Sequence, residues 1–253
     1  MVDLLTGVLY PFRALALLNR TPRLWGYVVV PILVNVVVGA LLYFGLFAAA
    51  WQSLDRFLTW EGTLGTLLLW LARALVGLTL ALGIGFLLVR FGVVLGAPWY
   101  SQLSEELEAL YVGQTHVKRP FSLPAAAYDV WRALLFEGKK LALALAIWLP
   151  SLLLLLVPGI GALLQMLANL ALGATIACLD FFDGPLERRR WRFRAKLALV
   201  RRMLPGSLGF GLLAFTLVSI PLVNLLAIPL CVTAGNLLVI ERSGVVSAEA
   251  EER

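Results

Sequence analysis

The chain has 253 residues, 61% of them hydrophobic and only 14% charged, with a formal net charge of +6 and a mean hydropathy of +0.91. A soluble domain of this length needs far more polar surface to cover its core, so the composition excludes the soluble classes. The apolar runs are continuous and rich in Leu and Ala rather than short and alternating, which excludes a closed β-barrel and predicts an all-α integral membrane protein.

In chain order, the first stretch lacks a basic n-region and a small-residue cleavage site, so no cleaved signal is expected. Residues 3–18 place Leu4, Val8, Phe12 and Leu15 at near-helical spacing, with Arg13 and Arg20 close behind. That pattern predicts a short helix lying in the membrane interface, interrupted or kinked at Pro11. Thr21-Pro22 then signals a new helix, Thr as cap and Pro at the first position. No charge interrupts residues 24–54, enough for a tilted span. Trp51 and Trp60 flank Asp55, Arg56 and Glu61, a polar connection with aromatic anchors on the far side. The return span covers residues 63–89, closed by Arg90. Arg73 lies inside it, either snorkelling to the outer interface beside Trp70 or facing a pathway.

Beyond Arg90, Leu103, Leu107, Leu110 and Tyr111 share one stripe while Glu105, Glu106 and Glu108 stay largely off it, which predicts a separate amphipathic interfacial helix on the cytoplasmic side. After a looser segment, a helix carrying Tyr128, Trp131 and Leu135 ends in Glu137-Gly138-Lys139-Lys140, marking the return to lipid. Residues 141–179 carry no charge but are broken at Pro150 and at Val157-Pro158-Gly159-Ile160-Gly161. Residues 203–240 repeat the pattern, with breaks at Pro205, Ile220-Pro221 and Pro229 and with Asn224 beside the central break. Two long spanning helices are therefore followed by two Pro-broken helical hairpins, which either cross fully or turn inside the membrane. The first tip has neither charge nor aromatic anchor, as a turn buried in protein or lining a wet cavity would. Paired broken segments form a weak internal repeat of the kind that marks translocation sites.

Between the hairpins lies CLDFFDGPLERRRWRFRAKLALVRR, residues 178–202, the densest charge in the chain. Arg188, Arg189, Arg190, Arg192 and Arg194 are expected to anchor topology and bind lipid headgroups on the cytoplasmic side. Trp191 and Phe193 among them imitate a single-strand nucleic-acid platform, but the position between apolar hairpins assigns lipid as the partner and no nucleic acid. With the amino terminus in the cytoplasm, every Lys and Arg falls on that side except Arg56 and Arg73. Both termini are thus expected to be cytoplasmic, in a multi-pass protein of the inner (plasma) membrane. Residues 1–244 form one helical membrane domain and 245–253 a disordered polar tail.

Cys178 and Cys231 are far apart and have no ligand-like spacing to His116, the sole histidine, so neither a metal site nor a cofactor is expected. The scattered carboxylates assemble no acid/base constellation, which argues against an enzyme. An anion site has a physical basis at Thr21, Arg23, Leu24 and Trp25, where free amides, the positive end of a helix dipole and a guanidinium converge. The competing use of Arg20 and Arg23 is to hold the helix end at lipid phosphates. Asn35, Arg73 and Asn224 are candidate pathway residues; the competing use of Asn35 and Asn224, and of Gln165, Asn169 and Asn236, is hydrogen bonding between helices.

Four stretches carry a family likeness: Pro22-Arg23-Leu24-Trp25 leading into Val30-Pro31-Ile32-Leu33-Val34-Asn35; Ala97-Pro98-Trp99-Tyr100 leading into Ser104-Glu105-Glu106-Leu107-Glu108; Val157-Pro158-Gly159-Ile160-Gly161; and Leu179-Asp180 followed by Pro185-Leu186-Glu187-Arg188-Arg189. In these the chain resembles the CysZ-type sulfate permease family within the wider etoposide-induced-protein-type membrane domain. The resemblance implies long spanning helices, partly penetrating hairpins, a homo-oligomer, and passage of sulfate, with an anion site at the turn before the first long helix. That turn is of Gly-Leu-Arg type in the family and reads Arg23-Leu24-Trp25 here, with the arginine displaced and the glycine missing. Phe181-Phe182-Asp183-Gly184 also lengthens the link between Asp180 and Pro185. The expected function is a permease or channel for sulfate or a similar small oxyanion, without a nucleotide-binding motif. The alternative is a non-transporting membrane protein that organises lipid or a protein partner through its basic cytoplasmic loop.

Overall fold

The computed structural model describes residues 3–57, 62–112, 123–220 and 223–243. Trp60, Glu61, His116, Pro221 and the polar tail lie outside them. The elements are α1 (Leu4–Arg20), a 3-10 turn (Pro22–Trp25), α2 (Gly26–Phe57), α3 (Gly62–Val112), α4 (Leu123–Ser151) with a second 3-10 turn (Leu152–Leu156), α5 (Gly161–Phe181), α6 (Asp183–Arg188), α7 (Phe193–Arg202), α8 (Gly206–Ser219) and α9 (Val223–Arg242). No strand forms among the described residues. Among the described residues, five segments are long and apolar enough to cross a membrane: Pro22–Arg56, Gly62–Phe86, Trp131–Leu156, Gly161–Phe181 and Val223–Arg242. At 14 residues, α8 reaches only ~21 Å, short of a ~30 Å hydrocarbon core.

The largest departure from expectation is α3. The return span and the amphipathic helix are one helix of 51 residues, running through Arg90 and Pro98 for roughly 76 Å. Pro98 removes one backbone bond. The turns that follow bury Tyr100, Leu103 and Leu107 against α6 and α9, so packing carries the helix past it. Proline likewise fails to end α1 at Pro11 and α9 at Pro229, whereas α4 stops one residue after Pro150 and gives way to the 3-10 turn Leu152–Leu156. Membrane helices tolerate it because neighbouring groups re-satisfy the freed carbonyl. The first hairpin turns instead at residues 157–160, where Gly159 adopts φ +81°, a left-handed conformation that favours glycine. Pro205 directly precedes α8, after a bend of 108° from α7. Lys139 and Lys140 sit in mid-helix in α4 and do not end it.

The core lies at one end of the molecule, where α1, α5, α8, α9 and the last third of α3 meet. Tyr10, Leu18, Leu103, Leu107, Phe182, Phe210, Leu237 and Leu238 are all buried there. The predicted stripe of α1 faces outward, with Leu4, Phe12 and Leu15 exposed, while Tyr10, Ala14 and Leu18 face the protein. Backbones approach closely across this core. A Cβ on Gly7 would stand 1.9 Å from the Gly206 carbonyl oxygen, and one on Gly211 2.3 Å from that of Ala174. Such crossings replace hydrophobic driving force, which lipid does not supply between helices, with van der Waals packing. From this base α2 and α3 rise as a paired hairpin that exposes Leu41, Phe44, Leu64, Leu82 and Phe86.

Candidate functional site

The turn from α1 to α2 differs from its predicted form. The Thr21 amide donates to the carbonyls of Leu17 and Leu18 at 3.0 and 3.2 Å, closing α1, and its side chain makes no capping bond. Pro22 has no amide, and that of Leu24 is taken by the Thr21 carbonyl at 3.0 Å. The Leu24 side chain is buried in the core and Trp25 packs half-buried against it. The expected array of free amides is therefore largely consumed. What remains is charge: Arg20 and Arg23 are exposed, and neither has an acidic partner among the described residues. Arg20 ends α1, where the negative end of the helix dipole favours a cation.

The three pathway candidates do not converge. Asn35 and Asn224 are each 2% exposed, on α2 and at the start of α9, two helices that pack together. The Asn224 amide nitrogen has no hydrogen-bond partner among the described residues. Arg73 is elsewhere. It pairs with Asp55 and lies 3.9 Å from the centre of the Trp51 ring and 5.3 Å from that of Trp70. Asp55 stands ~30 Å along α2 from Asn35, so Arg73 is held at the far end of the hairpin, as a snorkelling residue would be.

The five anchor arginines divide. Arg190 is exposed, with φ +53° in the reversal between α6 and α7, and Arg192 and Arg194 are exposed beyond it. Arg188 and Arg189 turn inward. Both reach the Glu108 carboxylate on α3, at 3.0 and 2.8 Å. Arg188 also donates to the Ser104 hydroxyl at 2.8 Å, which in turn donates to the Asn236 side-chain oxygen on α9 at 2.7 Å. Gly184 leaves room for this chain, since a Cβ there would come within 2.6 Å of the Ser104 hydroxyl. Burial raises the affinity of Glu108 for a proton, but Arg188 and Arg189 outweigh it and hold the carboxyl below its ordinary range.

A second network binds α4 to the same base. Lys196, 2% exposed, donates to Asp183 and, at 2.6 Å, to Glu187. Arg132 donates to Glu187 at 2.8 Å, and Lys140 pairs with Asp180 and, at 2.7 Å, with Glu137. The Phe136 ring lies 4.4 Å from the Lys196 ammonium and 5.0 Å from that of Lys140. The acids of the basic stretch thus face inward onto these cations, while Arg192, Arg194, Arg201 and Arg202 face outward.

Sequence reasoning missed the cluster of Ser104, Glu108, Arg188 and Asn236. A usable signal existed: Ser104 and Glu108 repeat at i, i+4 directly beside Leu103 and Leu107, so a polar column adjoins the buried stripe.

A family model described as sulfate transporter CysZ/etoposide-induced protein 2.4 matches residues 10–229. Sulfate transporter CysZ of Vibrio cholerae serotype O1 is 29% identical over 224 residues, 87% of each chain. Its counterpart in Pectobacterium atrosepticum is 28% identical over 248 residues, covering 96% of this chain and 87% of the relative. That of Salmonella typhimurium is 25% identical over 222 residues, 85% of this chain and 84% of the relative.

Proposed function

This chain belongs to the sulfate transporter CysZ/etoposide-induced protein 2.4 family, and on that premise we propose that it is a membrane permease for sulfate or a similar small oxyanion. One observation carries the reading. Relatives named as sulfate transporters align over 87% of both chains, so the likeness takes in the long hairpin, the broken hairpins and the basic base together. The chemistry of the base agrees. Arg23, exposed beside Arg20 at the start of α2, offers a charge-assisted fork to a tetrahedral dianion. In this reading Thr21, Leu24 and Trp25 shape the turn rather than supply ligands. The outward arginines of residues 190–202 raise the local anion concentration, and the buried amides of Asn35 and Asn224 lie along the route between α2 and α9. The positive-inside rule puts the base and both termini in the cytoplasm, in the inner membrane. Homo-oligomerisation would cover part of the exposed apolar surface of α2, α3 and α4.

The test is uptake of labelled sulfate into proteoliposomes by wild type and Arg23→Ala. Saturable uptake that falls in the variant supports the reading. Flux by folded protein no faster than in empty liposomes removes it.

A further inference from the structure

The outward face of α7 is a cationic surface that the described fold leaves without counter-charge. Its exposed residues are Arg194, Ala195, Ala198, Arg201 and Arg202, with Arg192 exposed at its start. None of these arginines has an acidic partner among the described residues, because Asp180, Asp183 and Glu187 are drawn inward by Lys140, Lys196 and Arg132. We propose that this face is the docking site of the chain's own acidic segment, Glu249-Ala250-Glu251-Glu252.

Charge, shape and reach all fit that occupant. Four arginines meet three glutamates, and opposite charges on two segments select one another by complementarity. Arg194 and Arg201 stand two turns apart, ~10 Å along one side of α7, which is the span from residue 249 to residue 252 in an extended chain. Ala195 and Ala198 form a low floor between them, so a docked segment can approach the helix backbone. Arg242, the last residue of α9, donates from Nε to the Tyr10 hydroxyl at 3.3 Å. One turn back on α1, a Cβ on Gly7 would lie 1.9 Å from the carbonyl oxygen of Gly206, four residues beyond the end of α7. Seven residue steps link Arg242 to Glu249 and extend to ~23 Å, more than the ~15 Å length of α7. Tethering makes the encounter intramolecular, at an effective concentration on the order of mM, so weak exposed ion pairs suffice.

An anionic membrane surface would compete for the same arginines. A helix that beds into lipid exposes an apolar face, whereas Leu199 and Val200 of α7 are buried in the protein and no apolar residue larger than alanine is exposed on it. Four positive charges against three negative leave the face weakly positive, so docking damps the outward field without cancelling it. The contact requires no flux and stands apart from the transport reading.

The experiment pairs Ala198→Cys with Ala250→Cys in the full-length protein and follows, by mass spectrometry of the monomer, the disulfide formed within one chain under mild copper-phenanthroline oxidation. Ala198 is exposed, and Cys178 and Cys231 are buried and do not compete. The pair is compared with and without Glu249→Gln, Glu251→Gln and Glu252→Gln together, in nanodiscs of phosphatidylcholine and of phosphatidylethanolamine with phosphatidylglycerol. The acidic segment should crosslink on the order of fivefold faster than the neutral one at low salt in both nanodiscs, and the difference should vanish at ~1 M salt. Equal rates for the acidic and neutral segments overturn the proposal, since a tethered chain that merely collides ignores its charge. An advantage lost in the phosphatidylglycerol nanodiscs assigns the face to lipid and also overturns it, as does a disulfide formed only between chains.

Discussion

Glu108→Gln is the sharpest perturbation of the base, because it keeps the side chain's shape and removes one charge. Glu108 is 2% exposed, and the side chains of Arg188 and Arg189, at 16% and 7%, share its carboxylate. Removing one member of a buried ion pair typically costs ~3–5 kcal/mol, since the partner charge stays buried without compensation. Here each guanidinium keeps at least one other acceptor, Arg188 on Ser104 at 2.8 Å and on the Ser101 carbonyl at 3.5 Å, and Arg189 on the Pro185 carbonyl at 2.9 Å. That places the expected loss at the lower end, about 3 kcal/mol. The assay is SDS-induced unfolding in mixed micelles, with thermal melting in detergent beside it, where the loss corresponds to a drop of roughly 6–12 °C. Glu105→Gln, on the same turn but without a partner among the described residues, is the control and should lie within ~0.5 kcal/mol of wild type. A loss below ~1 kcal/mol for Glu108→Gln is what an exposed pair would give, and it would refute the buried latch. Glu108→Leu combined with Arg188→Met should recover part of the loss, because apolar packing can replace buried charge.

The remaining predictions concern pH, packing and depth. Glu108 and Glu187 are both held below the ordinary carboxylate range, for each because its cationic partners outweigh burial. An acid depressed on folding contributes stability above its unfolded value, ~4.3, and loses it as pH falls through the folded value; through these two groups detergent melts should fall below pH ~4, with a smaller fall in Glu108→Gln. Gly7→Val must push α1 off α8 and should cost ~1–3 kcal/mol in SDS unfolding, whereas Gly45→Ala, with nothing within 4 Å of the new methyl, should cost nothing. Lys140, paired to Asp180 at the base, is only ~24 Å along the helix from Leu156, so Ile160→Cys at the tip should resist a membrane-impermeant maleimide added from the outside; rapid labelling would mean that the hairpin crosses fully.

The helices were legible where the sequence signal is local. Long apolar runs gave α2, the first half of α3 despite Arg73, and α5, because nothing else keeps so many apolar residues contiguous. Prolines misled for the same reason: Pro11 and Pro229 change the local backbone, yet tertiary packing decides whether the helix survives them. Thr21-Pro22 correctly marked a boundary, but which helix uses the threonine depends on the Leu17 and Leu18 carbonyls behind it. Ion pairs were not legible at all. Arg189 meets Glu108 across a separation of 81 positions, and no spacing rule reaches that far. In a string of five arginines, only the left-handed turn at Arg190 separates those facing in from those facing out.

That division bears on how an anion would be selected at the base. Asp180, Asp183 and Glu187 stand in the same sequence stretch as the arginines and should cancel their field, but each is engaged by Lys140, Lys196 or Arg132. The outward arginines therefore act as net positive charge. Exposed charge is screened within ~8 Å at physiological ionic strength, so these side chains raise the concentration of every small anion alike and cannot tell sulfate from chloride. Discrimination requires groups that contact the ion. A divalent tetrahedral ion gains from paired guanidiniums in fixed positions more than a spherical halide does. Arg23, exposed in the turn before α2 and without an acidic partner among the described residues, is the arginine proposed above for such contact. Substituting the outward set should then lower uptake of all anions in proportion, while substituting Arg23 should change their ratio.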